Sequence, residues 1–219
     1  MNRVKKPLII LTGPTAVGKT SLSIALAKAV NGEIISADSM QVYRHMDIGS
    51  AKIRPEEMCG VPHYLIDVLD PSEEFHVVKF VELAHEALEK IYAAGQIPIV
   101  TGGTGFYIQA LLKEVDFTES HGELPIRKQL EEKAATEEGA AELYRELSEV
   151  DPASAETIHP NNVKRVIRAL EYYHETGQKI SEHNEEQKQK ESPYCSAYFV
   201  LNDERSILYD RIDRRVDQM

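Results

Sequence analysis

Cysteine is scarce in this chain of 219 residues, with only Cys59 and Cys195. The two stand far apart, and neither has Cys or His at metal-ligand spacing. That excludes a zinc ribbon and a disulfide framework and points to a reducing cytoplasm. No apolar run approaches the ~18 residues that a membrane helix needs, so no membrane span is expected. Met1 to Lys6 is basic but lacks the apolar segment of a signal peptide. Nor is there an internal repeat beyond an alternation of strand-like and helix-like stretches. Positive charge is also in short supply: 25 Lys and Arg face 36 Asp and Glu, a formal net charge of −11. A polyanionic partner would have to be met by a local basic surface, because phosphate contacts need Lys and Arg. The distribution allows one. Residues 1–30 carry Arg3, Lys5, Lys6, Lys19 and Lys28 without an acid, whereas residues 131–151 carry eight acids against Lys133 and Arg145. With 42% hydrophobic and 28% charged residues, the chain can bury one good core and a smaller appendage.

What is present is organised around Gly13-Pro14-Thr15-Ala16-Val17-Gly18-Lys19-Thr20, which fits G-x-x-x-x-G-K-[ST]. Pro7 to Thr12 before it reads as a buried strand and Ser21 to Lys28 after it as a helix. The glycines let backbone N–H groups turn inward around phosphate oxygens, and the helix offers its positive end to the same anion. Lys19 adds a point charge, and the Thr20 hydroxyl is placed to hold Mg²⁺. A nucleoside triphosphate is the usual guest, yet any diphosphate fits such a loop.

Glu33 to Ala37 reads as a second buried strand that delivers Asp38 and Ser39 at its carboxyl end, the edge where ligands bind in an open parallel sheet. Asp38 there can be a magnesium ligand, a general base or the cap of a turn. Residues 40–63 read as a long loop, Tyr64 to Val68 as a short strand, and His63 as a structural or exposed histidine. Val77 to Ala94 has apolar residues at helical spacing and ends at Gly95. Ile97 to Thr101 is a further strand, running into Gly102-Gly103-Thr104-Gly105 and another helix start. From Glu123 to Lys190 only helical patterns occur, over 126–135, 140–150, 152–158, 163–175 and 181–190. Ala197 to Leu201 then reads as a returning strand and Asp203 to Met219 as a helix. These elements predict an α/β fold, a parallel sheet of the P-loop NTPase kind flanked by helices. Residues 1–115 and 195–219 form its core, and residues 116–194 an all-helical insertion. Within the insertion, Lys164, Arg165 and Arg168, with Arg127 and Lys128, concentrate cations. A solvated helix face explains them in an arbitrary chain, and the phosphate loop raises the odds of a polyanion.

Several stretches together resemble the bacterial tRNA dimethylallyltransferases, or tRNA isopentenyltransferases. They are residues 13–20; Ile35-Ser36-Ala37-Asp38-Ser39-Met40-Gln41-Val42-Tyr43; Met46-Asp47-Ile48-Gly49-Ser50-Ala51-Lys52; Val100 to Tyr107; Asp151-Pro152; and Ile158-His159-Pro160-Asn161-Asn162. The second and third are specific, and the first is generic. The resemblance implies transfer of a dimethylallyl group from dimethylallyl diphosphate to N6 of the adenosine 3′ of the anticodon, with release of diphosphate. It implies that residues 13–20 bind the donor diphosphate, that Mg²⁺ assists, and that Asp38, Thr104 and Arg215 form the catalytic set. It also implies tRNA contacts at Asp38, Ser39, Met40, Gln41, Thr104, Arg127, Lys164, Arg165, Val166, Ile167 and Arg168, with the insertion gripping the anticodon stem-loop. A cytoplasmic monomer is expected. Family members continue past Met219, which predicts an incomplete chain. Two rivals use the same loop: an ATP-dependent small-molecule kinase, which lacks a Gly-rich or Arg-rich lid here, and a nucleotide-gated RNA-binding module.

Overall fold

A computed structural model of the chain describes residues 4–115 and 125–217. The start of the helical run at Glu123 and the end of the last helix at Met219 lie outside these residues. The chain divides into two compact units, Met1–Val115 with Ser192–Met219, and Asp116–Glu191.

The first unit is a five-stranded parallel sheet in the order β3-β2-β4-β1-β5, built from β1 (Lys6–Thr12), β2 (Gly32–Ser36), β3 (His63–Tyr64), β4 (Ile97–Gly102) and β5 (Tyr194–Val200). Continuous apolar runs suit β1, β2 and β4 because helices cover both faces of a parallel sheet. On one face Leu8, Ile10, Ile35 and Val100 pack against Phe80, Ala84, Leu88 and Ile91 of α2 (Val77–Ala93) and Ile108 and Leu111 of α3 (Gly105–Lys113). On the other, Ile34 and Ile99 meet Ile24 and Ala27 of α1 (Lys19–Val30), joined by Ile53 and Val61. Each such aliphatic side chain, fully buried, contributes about 1.5–3 kcal/mol. Asn31, in the left-handed conformation at φ 53°, ends α1 by donating its N–H to Ala27 O. The last helix, α9 (Arg205–Asp217), follows β5, whose residues 195–200 are exposed at the sheet's edge.

The expected strand over Tyr64–Val68 is corrected. Only His63 and Tyr64 pair with β2, because Leu65 and Asp67 adopt positive φ (63° and 55°), which turns the chain out of the sheet. His63 is half-buried and its Nδ1 lies 2.8 Å from the Val61 carbonyl, a structural histidine.

The second unit is all helical among the described residues: α4 (Pro125–Lys133), α5 (Glu137–Val150), α6 (Pro152–Thr157), α7 (Val163–Thr176) and α8 (Ile180–Gln189). Leu130, Leu143, Leu147, Val166, Ile167 and Leu170 form its core. Asp151, only 1% exposed, ties three helices together. It ends α5 and caps α6, accepting from Ser154 N at 3.1 Å and Ser154 Oγ at 2.7 Å. It also accepts from Ser181 N at 3.0 Å and Ser181 Oγ at 2.6 Å at the start of α8. Burial alone would push its carboxyl up, but the hydrogen bonds from Ser181 and Ser154 outweigh it and hold the group below the ordinary carboxylate value of 3.8. Asp151→Asn should therefore lower unfolding stability by about 2 kcal/mol near neutral pH, combining a lost cap with unsatisfied donors. Since the folded pKa is depressed, the contribution is complete above the unfolded value and is lost as pH falls through the folded one. Denaturant titrations of both proteins should show the gap closing below about pH 4.

Candidate active site

Three adjacent strands end at one level. Thr12 of β1 is in register with Gly102 of β4, and Ser36 of β2 with Thr101 of β4. The chain leaving each strand therefore emerges at the same sheet edge, bringing residues 13–20, Asp38 and Thr104 together in one neighbourhood. Close approach is built into Gly102, where a Cβ would stand 2.2 Å from the Ala37 carbonyl oxygen. The same holds at Gly13, where it would stand 2.5 Å from Leu201 O while φ is 151°. A side chain at either would push apart the segments that carry the site.

The loop from Gly13 to Gly18 turns through Ala16 (φ 63°) and Gly18 (φ 98°) into α1. Residues 15 and 16 form a tight turn that leads through Gly18 into the helix. The loop thus sits at the N-terminus of α1, the positive end of a helix, where backbone N–H groups can meet an anion. Lys19 Nζ donates to the carbonyls of Gly13 at 2.8 Å and Pro14 at 2.7 Å, so the ammonium lies across the loop. Burial pushes this amine below the ordinary lysine value. The Asp38 carboxylate pulls it back up and the Arg215 guanidinium pushes it down, which identifies both as its electrostatic neighbours.

Asp38 is half-buried. Its Oδ1 accepts from Met40 N at 2.8 Å and Gln41 N at 3.2 Å, which makes it the cap of the next turn, and its other oxygen accepts no hydrogen bond from the described residues. Thr104 precedes α3 and donates its N–H to Ala37 O at 3.3 Å; its hydroxyl takes no part in capping that helix. Arg215, on α9, donates from Nη2 to Ala51 O at 3.0 Å. The Thr20 hydroxyl at the start of α1 is a hard oxygen donor and suits a magnesium ion that keeps most of its shell as water and phosphate oxygens. Among the described residues no three His, Cys, Asp or Glu side chains form a metal cage.

The residues expected at an RNA surface divide by burial. Ser39 is half-buried and Met40 is 43% exposed. On α7, Lys164 and Arg165 are exposed, whereas Val166 and Ile167 are buried in the core of the helical unit, leaving that segment only its backbone and cations to offer. Arg168 and Arg127 are not independent. Both donate to Glu171, a carboxylate with 2% of its side chain exposed, at 2.8 and 3.5 Å. Sequence reasoning missed Glu171 and also Lys52. The signal for Lys52 was its place at the end of the specific stretch Met46–Lys52; for Glu171 only its spacing of three from Arg168 hinted at the pair.

A protein-family model described as IPP transferase matches residues 41–219. A tRNA dimethylallyltransferase of Lachnoclostridium phytofermentans is 65% identical over 214 residues, covering 98% of this chain and 68% of that protein. That of Bacillus licheniformis is 52% identical over 219 residues, covering 100% and 69%. Among solved structures, a eukaryotic dimethylallyltransferase acting on tRNA is similar with a TM-score of 0.85 at 39% identity, over 97% of this chain and 52% of its own. The full-length tRNA isopentenylpyrophosphate transferase of Bacillus halodurans gives 0.65 at 47% identity, over 98% and 66%. The chain spans about two thirds of the length of these bacterial relatives and about half of the eukaryotic one. With its anion loop, Asp38 and Thr104 on one edge of a P-loop sheet, and with relatives of this kind along its whole length, the chain belongs to the IPP transferase family, the tRNA dimethylallyltransferases.

Proposed function

We propose that this protein transfers a dimethylallyl group from dimethylallyl diphosphate to N6 of the adenosine on the 3′ side of the anticodon in tRNA, releasing diphosphate. The observation that carries this reading is the shared sheet edge: the Gly-rich loop at the N-terminus of α1, crossed by the Lys19 ammonium, stands beside the Asp38 carboxylate. In this reading residues 13–20 hold the donor diphosphate. The adenosine N6 forms a bond to the allylic carbon as the carbon–oxygen bond to diphosphate breaks. The electron pair leaves on diphosphate, and the proton from N6 passes to Asp38. Lys19, Arg215 and the loop amides stabilise the charge that grows on the leaving group, and Thr104 orients the reacting centre. Magnesium, held by Thr20 and phosphate oxygens, would neutralise further charge on the diphosphate when bound. The target base must leave its stack to reach a donor seated at the sheet edge. The helical unit, residues 116–191, serves as the tRNA-binding domain, with the anticodon stem-loop on the exposed cations of α7. The protein works as a cytoplasmic monomer.

Full-length protein incubated with labelled dimethylallyl diphosphate should pass label to tRNA only when magnesium and tRNA are both present, and ATP hydrolysis should stay at background. ATP-dependent phosphorylation of a small molecule would turn the assignment to a kinase. RNA binding gated by nucleotide, without label transfer, would turn it to a switch.

The α7 cations give a separate expectation. Lys164 and Arg165 are exposed, and Arg168 is anchored to Glu171 one turn on. Backbone contacts position RNA without reading its sequence. Replacing Lys164, Arg165 and Arg168 together should weaken all tRNAs alike and flatten the salt dependence of binding, with donor affinity unchanged. Affinity across a salt series checks this, and a triple variant with the wild-type slope would reduce these cations to a solvated helix face.

A further inference from the structure

The stretch Met46–Lys52 is specific in pattern yet supplies nothing to the chemistry above. Its last residue, Lys52, is 8% exposed. A buried ammonium is stable only if paired, and all three of its protons are used: Nζ donates to the Tyr43 carbonyl at 2.7 Å, to the Asp47 carboxylate at 2.7 Å and to the Asp67 carboxylate. The partners come from both ends of the long excursion between β2 and α2, Tyr43 and Asp47 before β3 and Asp67 after it. Backbone bonds continue the connection on each side. Asp67 N donates to Gln41 O at 3.2 Å, and the Asp38 carboxylate receives the Gln41 and Met40 amides. In the other direction Ala51, next to Lys52, gives its carbonyl to Arg215. Asp38 and Arg215, 177 positions apart in the chain (215 minus 38), are thus joined through a single hub.

We propose that Lys52 is a positioning residue for the transfer reaction: by gathering Tyr43, Asp47 and Asp67 it holds residues 38–52 rigid, and so fixes Asp38 and Arg215 in one arrangement at the donor loop. The inference rests on the function proposed above. It follows from how steeply rate depends on the placement of reacting groups, where a shift of about 1 Å can cost ~10²-fold. It also follows from the asymmetry of the cluster. The Asp47 and Asp67 side chains are 67% and 50% exposed and would be hydrated without a cation, whereas the lysine side chain is 4% exposed. A lysine held so deep among partners that do not need it for their own solvation serves the geometry of the segment.

The test uses full-length protein with Lys52→Met, which keeps the stem and removes the charge. The readouts are single-turnover transfer per folded molecule, KM for donor and tRNA, and the unfolding midpoint. The rate should fall by roughly 10- to 100-fold, and Lys52→Arg should recover part of it. In an Arg215→Lys background the same substitution should cost several-fold less, because part of the effect runs through Arg215. A folded Lys52→Met protein with wild-type rate and KM overturns the proposal. So does an equal fold-loss in both backgrounds, the mark of a residue that only staples the loop. If Lys52→Met does not fold, Asp67→Asn replaces it: a smaller rate loss, reduced again in the Arg215→Lys background, is expected, and an unchanged rate overturns the proposal. Wild-type protein that transfers no label would instead remove the underlying assignment, a result distinct from either.

Discussion

Lys19→Ala is expected to cut affinity for dimethylallyl diphosphate by at least tenfold, with tRNA affinity little changed. The ammonium bridges the Gly13 and Pro14 carbonyls, and a diphosphate entering the loop would take up those same protons. Hydrogen bonds to charged groups contribute about 1.5–3 kcal/mol each, so the loss of one alone accounts for about one to two orders of magnitude. The fold should survive, because Lys19 is the first residue of α1 and alanine favours that helix. Burial holds the amine below its ordinary lysine value, and an anion bound beside it would raise it again. Donor titration by calorimetry onto wild type and variant would decide this, and equal dissociation constants would remove Lys19 from the diphosphate site.

Asp38→Asn should reduce the chemical step by on the order of 10²–10⁴-fold, the range of a lost general base, and largely spare tRNA binding. The structure makes this substitution unusually selective. Oδ1 caps the turn by accepting from Met40 and Gln41, a task an asparagine oxygen performs equally well. Only the second oxygen changes, from a proton acceptor to an amide that can take none. The segment leading to Met40 and Gln41 should therefore keep its shape. Single-turnover transfer at saturating donor and tRNA is the measurement. A rate near wild type would show that the proton leaves by another route, with Asp38 serving only as a cap.

Much of this was open to a reader of the sequence, because the relevant signals are local. Apolar runs over Leu8–Leu11, Ile34–Ile35 and Ile99–Val100 mark buried strands. The spacing of Ala84, Leu88 and Ile91 marks a helix face, and the loop at residues 13–20 carries the pattern of a phosphate loop in its composition alone. Even Asp38 followed from its address at the end of a strand. The short strand at Tyr64 was misjudged because apolar content carried no warning that Leu65 and Asp67 would adopt left-handed conformations. That choice is made by Val68 and Leu69 N–H groups pairing with Val42 O, a contact across the excursion.

What composition and periodicity determined, then, is most of the elements and the turn at residues 13–20 between β1 and α1, since each depends on residues within a turn or two of one another. The order β3-β2-β4-β1-β5, which places β2, β4 and β1 side by side and so sets Asp38, Thr104 and Lys19 at one edge, was decided only by tertiary pairing. The same is true of Arg215 on the Ala51 carbonyl, of Lys52 among Tyr43, Asp47 and Asp67, and of Glu171 beneath Arg127 and Arg168. A charged residue in a sequence has no marked partner. Whether it meets solvent, an opposite charge or a substrate depends on which distant segments the packed core brings within about 4 Å, where the Coulomb energy becomes decisive.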